Sequence, residues 1–323
     1  MEVKVKNNTL LIDQKLTFGQ RLKRDIRDQW RLIRKNRMKY VFLAPYLILF
    51  ITFTVCPVII SIFLSFTSFN MLETPTFIGL QNYYRMFMAD DLFVKALGNT
   101  LMFAVITGPG GYLISLVMAW FINELSHKAR VVLTVCLYAP SLAGGMTPLF
   151  KSIIFSSDAQ GFLNAKLLEW GFIQEPIKYL ENATYLVPII IVVVLWGSLG
   201  TSFLSFIGGL QGIGREYYEA AAMDGLRNRW QELWYITLPL MKPQLLFGAV
   251  ISITGAFNIG SIITSLGGNP TVDYCAHTIM QHLQDYGTTR FEMGYASSIA
   301  TVLFLIMIFL NKAIQKFLNK VGE

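Results

Sequence analysis

Glu219 opens a run of Glu219-Ala220-Ala221-Ala222-Met223-Asp224-Gly225, in the middle of a segment, 211–243, far longer than a connection between two helices requires. The chemistry such residues could do is docking, not bond-making. The acids Glu216 and Glu219 lie early in a strong helix-forming stretch, where the helix dipole favours them. Gly225 follows as a C-terminal stop. Trp230-Gln231-Glu232-Leu233-Trp234-Tyr235-Ile236 reads as a second short helix, ended by Pro239 and Pro243. Three alanines let another surface approach closely, and Glu219 offers a charge to a basic partner. The same pattern would also suit a loop that packs under its own bundle.

A second group of residues could contact a polar solute. Trp196, Ser198 and Ser202 fall in one apolar run; Thr254, Phe257, Asn258 and Ser261 fall in another. Residues 254, 258 and 261 are expected on one helical face. Polar side chains in membrane helices turn toward the bundle interior, either to touch a solute or to bond a neighbouring helix. Motifs for bond-making are missing. No Gly-x-x-x-x-Gly-Lys-Ser/Thr nucleotide loop and no His-Glu-x-x-His occurs. His127, His277 and His282 are scattered, so no metal is assigned, and the chain is expected to be no enzyme.

The elements that must position these groups are apolar. Of 323 residues, 54% are hydrophobic and only 15% charged, against roughly 25% charged in soluble domains. Six runs are long enough to cross about 30 Å of hydrocarbon: residues 40–66, 99–122, 131–155, 185–210, 244–266 and 294–311. The expected class is therefore an all-α polytopic membrane protein with six spans. The first run is too long for the core of a signal peptide and lacks a small-residue cleavage site. With the N-terminus inside, segments 1–39, 123–130, 211–243 and 312–323 hold 21 of the 27 Lys and Arg. The positive-inside rule then places both termini in the cytoplasm. The net charge of +7 points to anionic lipid as a partner rather than nucleic acid.

Three domains are expected: a basic arm 1–39, a membrane domain 40–316 and a tail 317–323. In the arm, Leu22, Ile26, Trp30 and Ile33 recur at helical spacing among arginines. That pattern fits either an amphipathic helix on the inner leaflet or a disordered topogenic arm. Gly108-Pro109-Gly110-Gly111 is expected to break the second span, as a hinge or a fixed kink. Cys56 and Cys136 lie in apolar runs, and Cys275 alone is on the expected outer side, which leaves no pairing for a disulfide there.

The 211–243 segment resembles the EAA loop of permease subunits in binding-protein-dependent ABC importers. The resemblance rests on Gly209-Leu210-Gln211-Gly212-Ile213, Glu219-Ala220-Ala221, Asp224-Gly225 and Ile236-Thr237-Leu238-Pro239. Ten residues separate Gly225 from Ile236, one more than is usual in that loop. Pro57 with Leu64-Ser65-Phe66-Thr67, Gly79-Leu80-Gln81-Asn82-Tyr83, Asn99-Thr100-Leu101, Gly161-Phe162-Leu163-Asn164, Trp196, Gly200 and Gly267-Gly268-Asn269-Pro270 extend the similarity to the maltose-type carbohydrate branch. The resemblance implies a type I importer permease that passes a sugar or oligosaccharide across the bacterial plasma membrane. It implies a second permease subunit, a cytoplasmic ATPase dimer that binds ATP and Mg, and an extracytoplasmic solute-binding protein. Glu219 would then be the coupling residue, Gly225 its turn, and Ala220 and Ala221 the contact face, with Asp224 beside them. Sugar contacts in that family come from the helices bearing Trp196 and Asn258. Two other readings compete: an ion-coupled secondary transporter, which would need charges buried in its spans, and a membrane scaffold recruiting a cytoplasmic partner.

Overall fold

The computed structural model describes residues 34–142 and 146–319. The expected amphipathic positions 22–33 and the last residues of the tail lie outside them. The chain divides into two units, Met1–Ile60 and Ser61–Glu323. In the first, α1 (Arg37–Phe50) passes through a π-helical turn, Ile51–Val55, into α2 (Cys56–Leu64). None of these three elements has a buried residue.

The second unit takes in the last residues of α2 and continues with a two-stranded antiparallel ribbon, β1 (Thr67–Ser68) and β2 (Thr76–Phe77), followed by α3 (Gln81–Met88). Then come α4 (Asp91–Asn123), α5 (His127–Leu142), α6 (Met146–Leu149) and α7 (Phe162–Glu169). A further apolar helix is interrupted at Gly200 into α8 (Ala183–Gly197) and α9 (Thr201–Gln211). The 211–243 segment holds α10 (Arg215–Met223), α11 (Arg229–Glu232), a π-helical turn Leu233–Thr237 and α12 (Leu238–Leu240). α13 (Lys242–Phe257), α14 (Gly260–Gly267), α15 (Ile279–Gln284) and α16 (Met293–Asn319) complete the chain.

Among the described residues, four helices are long and apolar enough to cross a membrane: Arg37–Leu64, Asp91–Asn123, Ala183–Gln211 and Met293–Lys316. A fifth span is possible if Arg229–Leu240 and Lys242–Phe257, which meet at 82°, are taken together. The expected third run is covered by α5, α6 and a π-helical turn Phe150–Ile154, with 143–145 outside the described residues.

Two expectations change. The Gly108-Pro109-Gly110-Gly111 break is absent, since α4 runs unbroken from Asp91 to Asn123. Its glycines serve close packing instead. A Cβ on Gly111 would sit 2.7 Å from Ser198 Cβ, and one on Gly108 would touch Ala256. Conversely, the 244–266 run is two helices. α13 ends at Phe257, Asn258 leaves the helix at φ −102°, ψ 23°, and α14 starts at Gly260. Residues 254, 258 and 261 therefore do not share one helical face.

α4 is the central element, packing on α8, α9 and α13. Phe103, Ile190, Ile263 and Leu266 fill one core; Phe203, Phe206, Leu210 and Met241 fill another. The expected outer loops are pinned by buried amides. Asn82 Nδ2 donates to Ser65 O at 3.0 Å and Thr67 O at 2.9 Å. Asn164 Nδ2 donates to Ser156 O and Ile177 O, both at 3.1 Å, and its Oδ1 accepts from Ile177 N–H. Such residues satisfy loop carbonyls that would otherwise be buried without partners.

Asp90 caps α4, accepting from Phe93 N–H at 3.0 Å, Tyr295 Oη–H at 2.7 Å and His282 Nε2 at 3.0 Å. Burial pushes the Asp90 carboxyl up, but the Tyr295 and Phe93 hydrogen bonds outweigh it and hold the group below the usual carboxylate range. His282 Nδ1 lies 3.4 Å from His277 Nε2, and burial beside His282 pushes His277 down to about 4. His282 is likewise shifted down, chiefly by burial and against the pull of Asp90, and its contact with Asp90 ties the two rings to the start of α4.

Candidate functional site

Two sites are assembled from residues far apart in the chain. The first is a cavity of about 500 Å³ bounded by α4, α5, the α8–α9 junction and the α13–α14 junction. Both junctions are places where a helix stops inside an apolar run, and both line this cavity through Ser198, Gly200, Asn258 and Ile259. Non-helical backbone at membrane depth is tolerated where it faces a polar cavity or protein. Hydroxyl and amide groups from Thr107, Tyr138, Ser141, Ser198, Thr201, Ser202, Ser252 and Asn258 stand in the lining among apolar residues such as Val194, Ile251 and Ile262. No Asp, Glu, Lys, Arg or His lines it among the described residues.

Most of those hydroxyls are committed locally. Ser198 Oγ donates to Leu195 O at 2.6 Å, and Ser202 Oγ lies 3.4 Å from Ser252 Oγ. Ser115 Oγ holds Ser198 O at 3.0 Å, tying α4 to the α8–α9 junction. Asn258 differs. Its backbone N–H is taken by Gly255 O at 3.0 Å, while its exposed side-chain amide has no partner among the described residues.

Of the residues singled out from sequence, Ser198, Ser202 and Asn258 meet at this cavity. Trp196 does not line it; it is half-exposed and edge-on to Phe150 at 5.9 Å. Thr254 bonds back to Val250 O at 2.8 Å on an exposed face, and Ser261 is exposed on α14. Phe257 is buried and borders a separate apolar cavity of about 360 Å³ with Gly108 and Pro109. Thr107, Tyr138, Ser141, Thr201 and Ser252 were not singled out. Tyr138 and Ser141 come from α5, where they recur with Thr134 at helical spacing, a signal that could have marked them.

The second site is the platform between α9 and α13. Gly225 ends α10 at φ +95°, the left-handed region that glycine alone adopts freely. Gly225 N–H donates to Ala222 O at 3.2 Å and Leu226 N–H to Ala221 O at 3.0 Å, satisfying the last carbonyls. Glu219 is exposed and paired with Arg215 Nε at 3.0 Å. Ala220, Ala222 and Asp224 are exposed, whereas Ala221 is buried. The outward face is thus Glu219, Ala220 and Ala222, with Ala221 turned inward rather than beside Ala220. Asn228 caps α11 through Trp230 N–H. Tyr218 Oη lies 3.1 Å from Thr237 Oγ1, which fixes the register of the second short helix against the first.

Comparison with known proteins places these features in context. A family profile described as "Binding-protein-dependent transport system inner membrane component" matches residues 111–320. The "Probable ABC transporter permease protein YesP" of Bacillus subtilis (strain 168) is 33% identical over 283 residues, 86% of this chain and 89% of that protein. The "Lactose transport system permease protein LacF" of Rhizobium radiobacter is 30% identical over 281 residues, 84% of this chain and 91% of that one. Among solved structures, a chain of a bacterial ABC transporter "involved in the import of the acidic polysaccharide alginate" matches with a TM-score of 0.71. It is 23% identical and covers 91% of this chain and 100% of its own, a likeness of fold.

Proposed function

We propose a function from one premise: this chain belongs to the family of inner membrane components of binding-protein-dependent transport systems. It is a permease subunit of an ATP-binding-cassette importer, and its solute is a sugar or oligosaccharide. The observation that carries the solute class is the uncharged cavity at two helix interruptions, lined by hydroxyl and amide groups. Such groups suit a neutral polyol, and among the described residues the cavity wall holds no carboxylate or cation of the kind that couples transport to an ion gradient. Relatives named for lactose and arabinooligosaccharide transport support the same class.

The full assembly on this reading has six spans in this chain, a different second permease, a cytoplasmic ATPase dimer holding ATP and Mg, and a solute-binding protein outside. Lipid of the bacterial plasma membrane surrounds it. The cation distribution supports cytoplasmic termini, with the platform inside. An impermeant maleimide added to intact cells is expected to label a cysteine placed at exposed Phe172 and to spare one at exposed Asn228. Labelling of residue 228 from outside would reverse the orientation. Glu219, Ala220, Asp224 and Gly225 form the ATPase-coupling face, with Ala221 supporting it from beneath. Ser198 and Asn258 are the leading solute contacts; Trp196, Thr254, Phe257 and Ser261 stand further from the cavity.

The solute test is ATP-dependent uptake in vesicles holding the complete transporter. Asn258→Ala removes a hydrogen-bonding group from the cavity wall, a loss of about 1–3 kcal/mol. It is expected to weaken uptake of the transported sugar by roughly tenfold while assembly with the partner subunits is unchanged. Unaltered uptake, or loss of assembly, would remove Asn258 from the solute path.

A further inference from the structure

The platform is joined by the chain itself to α9 on one side and to α13 on the other. Its displacement therefore reaches those helices through covalent structure. α4 is different. It forms the opposite wall of the cavity through Gly111 against Ser198, yet no backbone link runs from the platform to its cytoplasmic end. Side chains make the connection there.

Glu124 is the C-cap of α4, and Arg229 is the first residue of α11. Arg229 Nη2 reaches Glu124 Oε2 at 3.0 Å while its Nη1 holds Glu232 Oε2 at 2.7 Å. The planar guanidinium forks between a carboxylate on α4 and one on its own helix, a geometry lysine cannot reproduce. One turn back along α4, the Trp120 ring lies 5.0 Å from the Trp230 ring. Trp120, Glu124, Arg229 and Glu232 line a polar cavity of about 190 Å³ that Tyr218 of α10 also borders. Through Tyr218 the clasp is continuous with the helix that carries Glu219.

We propose that the Glu124–Arg229 clasp, with the Trp120–Trp230 contact beside it, is the link that passes displacement of the platform to α4 and so moves the far wall of the cavity. Arg229 and Glu124 are positioning residues for transport, and the inference rests on the importer-permease reading above. A purely structural role is a poor account of the pair. Side-chain exposures of 62% and 42% make it a surface ion pair, and such pairs stabilise folds little. A fork that joins two moving parts needs only to hold their distance.

The test uses the complete transporter in vesicles and reads solute uptake and ATP hydrolysis together. Arg229→Ala and Glu124→Ala are each expected to lower uptake per ATP hydrolysed by about 5- to 10-fold, with protein level and hydrolysis retained. The double variant is expected to be no worse than either single one, because both remove the same link. Exchanging the charges, Glu124→Arg with Arg229→Glu, is expected to restore most of the ratio in a Glu232→Gln background, where the new carboxylate meets no like charge. Additive losses, uptake and hydrolysis falling in parallel, or failure of the exchanged pair to restore the ratio would each overturn the proposal. Absence of ATP-dependent uptake in the unaltered transporter would instead overturn the reading beneath it.

Discussion

Glu219→Ala is expected to abolish uptake while the chain still reaches the membrane at its normal level. The proposed role of Glu219 is to dock in the ATPase subunit and pair with a cation there. Its present pairing with Arg215 is between side chains that are 66% and 90% exposed, so losing that contact alone costs the fold little. A docked carboxylate is another matter: removing it leaves the partner's cation desolvated and unpaired, at about 2–5 kcal/mol. Gly225→Pro is expected to be equally severe for a different reason. Proline fixes φ near −65°, and Gly225 stands at +95° with its N–H bonded to Ala222 O. The turn would have to open, and the face of α10 would no longer be presented in register. Gly225→Ala gives a graded comparison, since a left-handed alanine costs about 1–2 kcal/mol. The measurement is uptake and ATPase activity in membranes matched for protein. Full uptake by both Glu219→Ala and Gly225→Pro would reduce this platform to packing.

The second large effect is expected at Gly294, near the start of α16, and it concerns assembly of the chain itself. A Cβ there would collide with Thr67 O and lie 3.0 Å from Phe69 N, while Gly294 N–H donates to Phe69 O at 3.0 Å. The obstacle is backbone, which cannot rotate aside as a side chain can. Gly294→Ala should therefore push α16 off the ribbon, an overpacking cost of about 1–3 kcal/mol or more. The expected result is a several-fold lower level of folded protein and a lower Tm in detergent. Gly98→Ala is the control, because nothing lies within 4 Å of its would-be Cβ on α4 and alanine is the better helix former by up to about 1 kcal/mol. Equal levels for Gly294→Ala and the unaltered chain would show that the ribbon yields.

The apolar runs and the platform could be read from composition and local pattern because each is decided locally. Hydropathy marks a run, and Gly225 was placed as a turn from its position after Asp224 alone. The interruptions at Gly200 and Asn258 could not be read as breaks in this way. A helix stops inside hydrocarbon only where a cavity solvates the freed backbone, and that cavity exists only once α4, α5, α9 and α13 have met. The error at Gly108-Pro109-Gly110-Gly111 has the same origin: intrinsic helix weakness was outweighed by the close contacts that missing side chains permit. His277 and His282 read as scattered in the sequence, yet only His282 lies in α15, and the turn before that helix brings the rings together. The Glu124–Arg229 clasp joins the end of one helix to the start of another 105 positions on, a partnership no local pattern announces.

The contacts through glycine also set a clock. Gly111 against Ser198, Gly209 against Gln244 and Met241, Gly248 against Phe206, and Gly260 against Met280 each leave less than 3.1 Å for a would-be Cβ. Side-chain rotamers interconvert in picoseconds to nanoseconds, but at these positions one partner has no side chain to rotate. Widening or narrowing the space between α4, α9 and α13 requires whole helices to slide, and such collective displacements run in microseconds to milliseconds. The rate at which this chain can change the shape of its cavity is thus bounded by the motion of packed bodies, several orders of magnitude slower than the flicker of the groups that line it.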